Sequence, residues 1–247
     1  MRRAWTRACV LAAAAALAGT AFAQDGEGSG RAFKLTVGDY ALSGGGQPSD
    51  RGLDVNLRHS SDFGNVWGGW YRERASGFSQ WRTGWDRMVT VGAWRVQPSV
   101  QLASGGFRGG SLYAETGDDW FAGAGLGRTN LRPYANLNFD PNDAITLQAG
   151  RRWAGGDALT LLLVADNREH PDQRHLHLNW RGSRPGHERL TLDLLAKRGT
   201  LDDGQRIARL GVSATYDWPR WFLRAAWDPK VNFTAQDMLR LSAGARF

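Results

Sequence analysis

Two histidines, His175 and His177, are the residues of this chain whose type and spacing come nearest to metal chemistry. Side chains two apart on a strand point the same way, so these imidazoles could share a metal if a third ligand came from a neighbouring strand. Glu169 and His170 stand in the preceding turn, but the sequence places no further histidine or cysteine beside the pair. Polar lining of an interior is the plainer reading, and no metal or other cofactor is expected. Acyl transfer is the second chemistry to weigh, because Ser60 and Ser61 follow His59 directly. Adjacent strand residues face opposite ways, so His59 and Ser60 would not meet, and His59 with Ser61 requires the strand to run on unbroken. No catalytic residue is assigned.

The most abundant chemistry is basic. Arg58, Arg82, Arg95, Arg132, Arg152, Arg181, Arg209, Arg224, Arg240 and Arg246, with Lys34 and Lys197, fall on one face of alternating segments. Asp54, Asp86, Asp193 and Asp228 fall on the same face, so twelve basic positions meet four acidic ones. Charged side chains of both signs can close an interior through Arg–Asp networks, whereas an unbalanced basic lining favours anions.

Alternation is what would position these groups. In Trp94, Val96, Pro98, Val100 and Leu102 every second residue is apolar, with Arg95, Gln97, Ser99 and Gln101 between them. Leu131, Pro133, Ala135, Leu137 and Phe139 repeat the pattern, as do Leu176, Leu178 and Trp180, then Leu190, Leu192 and Leu194. A period of two marks strands with unlike faces. A soluble sandwich would bury its apolar face in a core of large aliphatics. Here that face is often Ala, Gly or Trp, and the opposite face would put many arginines into a core at several kcal/mol for each unpaired charge. No apolar run is long enough for a membrane-spanning helix, since the longest, 158–165, is interrupted by Thr160. The pattern therefore predicts an all-β fold, a single antiparallel transmembrane β-barrel over residues 32–247, with most tryptophans in interfacial girdles. Fifteen segments alternate, the last four starting near 187, 205, 220 and 237. Single-chain barrels favour even counts, so twelve to fourteen strands are expected, leaning to fourteen, with the over-split placed between 79 and 116.

The two ends carry addresses. Arg2, Arg3 and Arg7 precede a short apolar stretch and the Ala21-Phe22-Ala23 site, the pattern of a cleavable signal peptide over residues 1–23, followed by a short flexible segment, 24–31. Cys9 lies before the apolar stretch, so neither a lipid-modified cysteine nor a disulfide is expected in the mature chain. Without the three leader arginines, 28 Lys+Arg face 24 Asp+Glu and the formal charge falls from +7 to +4. That dispersed excess, on an exported chain, argues against nucleic acid as a partner. At the other end Leu239, Leu241, Ala243, Ala245 and Phe247 alternate with Arg240, Ser242, Gly244 and Arg246. This segment resembles the terminal strand of bacterial outer-membrane β-barrel proteins. The resemblance implies an outer-membrane location, outer-membrane lipids and lipopolysaccharide as surroundings, and recognition of Leu239, Leu241 and Phe247 by the assembly machinery. The expected function is a small pore with a basic, anion-preferring lumen. The alternatives are a closed structural or interaction barrel with internally paired charges, and a lipid- or lipopolysaccharide-modifying enzyme. The His-x-Ser spacing that such membrane deacylases and phospholipases carry occurs here only as His59-Ser60-Ser61, at a strand end.

Overall fold

The computed structural model describes residues 31–46, 48–137 and 143–247. The leader and the segment after it lie outside the described residues, apart from Arg31. Strands β1 (Phe33–Ser43), β2 (Asp50–Ser61) and β3 (Gly64–Glu73) form a meander that continues into β4, made of Ser79–Asp86 and Val89–Val91. There follow β5 (Trp94–Ala103), β6 (Phe107–Thr116), β7 (Trp120–Thr129), β8 (Ala144–Arg152) and β9 (Ala158–Asp166). The sheet ends with β10 (Arg174–Arg184), β11 (Glu188–Thr200), β12 (Arg206–Asp217), β13 (Trp221–Asp228) and β14 (Asp237–Arg246). Each strand pairs antiparallel with its neighbours in sequence, and β14 pairs with β1, so the fourteen strands close into a barrel.

The two pieces of β4 are one strand. Asp86 faces Ser99 and Val89 faces Val96 in a single register along β5, and the interruption at Arg87 and Met88 lies against Gln97 and Pro98. Proline has no N–H to give the ladder, so its partner strand loses a bond there without changing register. The surplus segment of the sequence reading lies elsewhere. A strand was expected over residues 131–139; of these, 131–137 form an irregular segment between β7 and β8, and 138–139 lie outside the described residues. Leu131 takes a left-handed φ of 57°, which turns the chain off the strand path, and Pro133 cannot contribute a ladder N–H.

Alternation sorts the faces as expected. Leu112, Leu147, Leu161, Leu178, Leu194, Val212 and Leu241 stand exposed on the outside, while Gln80, Gln97, Gln101, Thr146, Gln148 and Asn179 are buried inside. Trp94, Trp120 and Trp221 are exposed outside at strand ends, and Arg151 stacks over both Trp120 and Trp153 at 5.3 Å. Indoles and guanidinium groups of this kind suit a membrane–water boundary. Trp67 departs from the girdle expectation: it points inward over Gly84, where a Cβ would lie 2.5 Å from the indole ring.

The barrel has unlike ends. At the end where β1 starts and β14 finishes, the connections are short turns such as 62–63, 92–93 and 117–119. There Phe33 and Phe247 exchange backbone hydrogen bonds of 2.9 and 3.0 Å, and their rings stack 5.7 Å apart. The opposite end carries the longer connections, among them 130–143, 167–173 and 229–236. These are called the terminal end and the loop end below.

Candidate functional site in the barrel lumen

A ring of charge lines the terminal end. Inward alternation brings Lys34 from β1, Arg58 from β2, Arg95 from β5, Arg152 from β8, Arg181 from β10, Arg189 from β11 and Arg246 from β14 to a common level. Four carboxylates stand among them, one of them the exposed Asp118, 3.7 Å from Arg95. Glu115 takes Arg95 and Arg152, each at 2.7 Å. Asp217 takes Arg246 at 2.5 Å and Arg189 at 3.7 Å, and Asp86 takes Arg58 at 3.7 Å. The side chains of Arg58, Arg95, Arg152 and Arg189 remain 21 to 30% exposed, so this level is wet. Seven basic and four acidic side chains thus share this level.

The wall here stays thin because aromatic rings lie flat on glycines. Tyr113 donates to Glu115 at 3.0 Å and covers Gly123, where a Cβ would come within 2.4 Å of its hydroxyl. Phe121 covers Gly150 in the same way, with Arg152 stacked 3.6 Å above its ring.

The loop end is filled instead. Residues 131–137 fold inward, and the backbone of Ala135 exchanges two hydrogen bonds with the Gln80 side chain, 2.8 and 2.9 Å. Gln101 donates to the Tyr134 hydroxyl, and that ring stacks on Phe107 at 4.3 Å. On the far wall Arg240 donates to the Leu137 carbonyl at 3.2 Å, and Leu137 is buried among Tyr40, Tyr71, Val231 and Met238. A second inward turn, Val231–Phe233, meets the first through Asn232, which donates to the Asn136 carbonyl at 3.1 Å. Apolar side chains and backbone amides thus tie opposite walls together. Beneath them the Arg82–Asp54 pair, 2.7 Å apart, is buried at both partners, and Lys197, itself fully buried, pairs with Asp228.

The remaining sequence candidates fall as follows. His175 and His177 share the inner face, but His175 is fully buried and stacks on Phe233 at 5.2 Å, while the His177 Nδ1 pairs with Asp193 at 3.0 Å. Among the described residues no group of three or more His, Cys, Asp or Glu side chains is placed to hold a metal. Arg224 donates to Thr215 Oγ1 at 2.9 Å. Arg132 lies exposed on the inward loop and not on a strand, and Arg209 is exposed, donating to the Ala208 carbonyl. His59 faces out against the Phe33 ring at 4.7 Å while Ser60 faces in and donates to Asn65, so the pair does not converge. Leu239, Leu241 and Phe247 are exposed on the outer face of β14. The sequence reading missed Glu115, Asp217 and Arg189, although strict alternation through Phe107, Gly109, Ser111 and Tyr113 puts Glu115 inside.

A closed antiparallel barrel with a continuous apolar exterior and a charged, hydrogen-bonded interior defines the outer-membrane β-barrel class. No protein-family model matches the chain, and no curated protein matches it in sequence. Solved structures do match in shape. The Acinetobacter baumannii outer membrane protein Omp33 superposes with a TM-score of 0.52 at 9% identity, covering 88% of this chain and 98% of that one. A bacterial polysaccharide outer membrane secretin gives 0.49 at 10%, covering 88% and 99%, and the KdgM porin gives 0.42 at 12%, covering 87% and 99%. The first of these likenesses shows the fold that the geometry had already defined.

Proposed function

We propose that this barrel is a narrow outer-membrane channel for small hydrophilic solutes, constricted by its inward loop and biased towards anions at its terminal end. The observation that carries the reading is the ring of seven basic and four acidic side chains at a level whose arginines stay partly exposed beside the aromatic-on-glycine wall. Fixed charge lining a narrow aqueous passage biases which ions occupy it, and screening weakens the bias within about 10 Å at 0.1 M salt. The same reading takes Leu239, Leu241 and Phe247 as the assembly signal, supported by the way β14 closes the barrel on β1.

A closed barrel is the second reading, favoured by the cross-lumen ties of residues 131–137. Planar-bilayer recording across a salt gradient separates the two. The expected result is discrete conductance with an anion-selective reversal potential, moved towards cation selectivity in the K34E/R181E variant. Inserted, folded protein that never conducts overturns the channel and leaves the closed barrel.

A further inference from the structure

The outer wall between β9 and β12 is not a uniform apolar belt. Along one outward row Leu163, Leu176, Ala196 and Leu210 are cross-strand neighbours, and Ala208 stands in the row above. An open hollow of about 810 Å³ lies over the two alanines, lined also by Leu163, Leu176, Leu210 and Trp227. An apolar hollow on a surface immersed in lipid is filled by hydrocarbon, since no other neighbour recovers its dispersion contacts.

Its rim towards the loop end is positive. Arg174 and Arg198 are directly opposed in the β10–β11 register, both exposed on the outer face. Arg206 stands on the same face of β12, two residues further towards the loop end than Ala208, the cross-strand partner of Arg198. Like charges set directly opposite each other repel unless an anion intervenes. Among the described residues no carboxylate reaches ion-pair distance of any of the three, whereas the outward Arg51 elsewhere on the rim is paired with Asp39 at 2.5 Å. Asp172, two residues before Arg174, accepts a hydrogen bond from the Thr200 hydroxyl at 2.5 Å.

We infer that this face is a binding site for a phosphorylated, acylated lipid of the leaflet at the loop end, an acyl chain in the hollow and the phosphate between Arg174 and Arg198. In the orientation such barrels take, with short turns on the periplasmic side, that leaflet is the outer one. Planar guanidinium groups engage phosphate oxygens through paired, charge-assisted hydrogen bonds, and the anion removes the repulsion across the strand pair. Arg206 supplies a third donor at the headgroup level. This inference is independent of whether the lumen conducts.

Native mass spectrometry of the full chain in detergent, with bis-phosphorylated lipid A as probe, tests it. Wild-type protein is expected to retain the lipid about tenfold or more better than R174Q/R198Q, the loss appropriate to charge-assisted hydrogen bonds. A208L, which fills the hollow and leaves the arginines, should lose it as well. R72Q, removing an exposed outward arginine on β3, should not. Dephosphorylated lipid A should bind poorly, and millimolar inorganic phosphate should fail to displace the phosphorylated lipid. Equal retention by wild type and R174Q/R198Q overturns the proposal, as does equal retention of the dephosphorylated lipid, or displacement by phosphate alone, which would reduce the site to a simple anion contact. Heat-modifiable migration on gels verifies folding of each variant, and if the double variant does not fold, A208L and R206Q give the same readout.

Discussion

The two halves of the lumen are built from the same alternating strands yet end in different physical states. At the loop end, chain that does not belong to the sheet occupies the interior and ties Gln80 on one wall to Arg240 on another. Beneath that filling Arg82 and Asp54 are buried together as a close pair. At the terminal end no connection folds inward among the described residues; the short turns cannot reach. Charges there are shared and partly hydrated, with one carboxylate, Glu115, serving two guanidinium groups. Connection length, more than strand composition, decides whether a given inward residue is sealed or wet.

The sharpest way to break this contrast is to remove the filling. Replacing residues 131–137 with a glycine-serine linker should raise single-channel conductance several-fold while leaving the terminal ring intact, because the passage is then limited by the ring alone. Unchanged conductance would mean that the inward loop does not control the passage.

The contrast in hydration should also appear in stability. Asp54→Ala strands the buried Arg82 guanidinium and is expected to destabilise the barrel by about 3–5 kcal/mol. Asp118→Asn removes a carboxylate that is 99% exposed and 3.7 Å from Arg95, with an expected effect of about 0–1 kcal/mol. Urea unfolding of both variants in lipid vesicles reads the difference, and equal midpoints would contradict the assignment of a sealed and a wet half. Between these extremes lies the thin wall. Gly123→Ala drives a methyl into the Tyr113 hydroxyl and within 2.8 Å of the Ala114 carbonyl, for about 1–3 kcal/mol of overpacking. The displaced ring should narrow the terminal end, which conductance of the refolded variant would register as a small decrease.

Much of this architecture was legible in the residues. A strand has a period of two whatever it packs against, so the outward leucines of β9 to β14 and the inward arginines of β5, β8 and β14 could be assigned to faces locally. The strand number was legible to within the one false segment. Leu131, Pro133, Ala135 and Leu137 alternate as cleanly as any true strand, and the left-handed turn at Leu131 has no signature in residue type. Leu137 was expected to face outward and is instead buried inside against Tyr40 and Met238.

Pairing was the other thing the sequence could not reach. Asp54 and Arg82 lie 28 residues apart, and Leu137 meets Arg240 across 103. Which charges meet and neutralise one another depends on strand register and on closure of β1 against β14. The opposition of Arg174 and Arg198 is likewise invisible until the β10–β11 turn sets their register. Within the true strands, sequence alone determined the side each residue faces, because that is a property of one strand's backbone. Only the closed tertiary structure decided which residues share a level and which loop fills the space between them, because those are properties of how separate strands are staggered and joined.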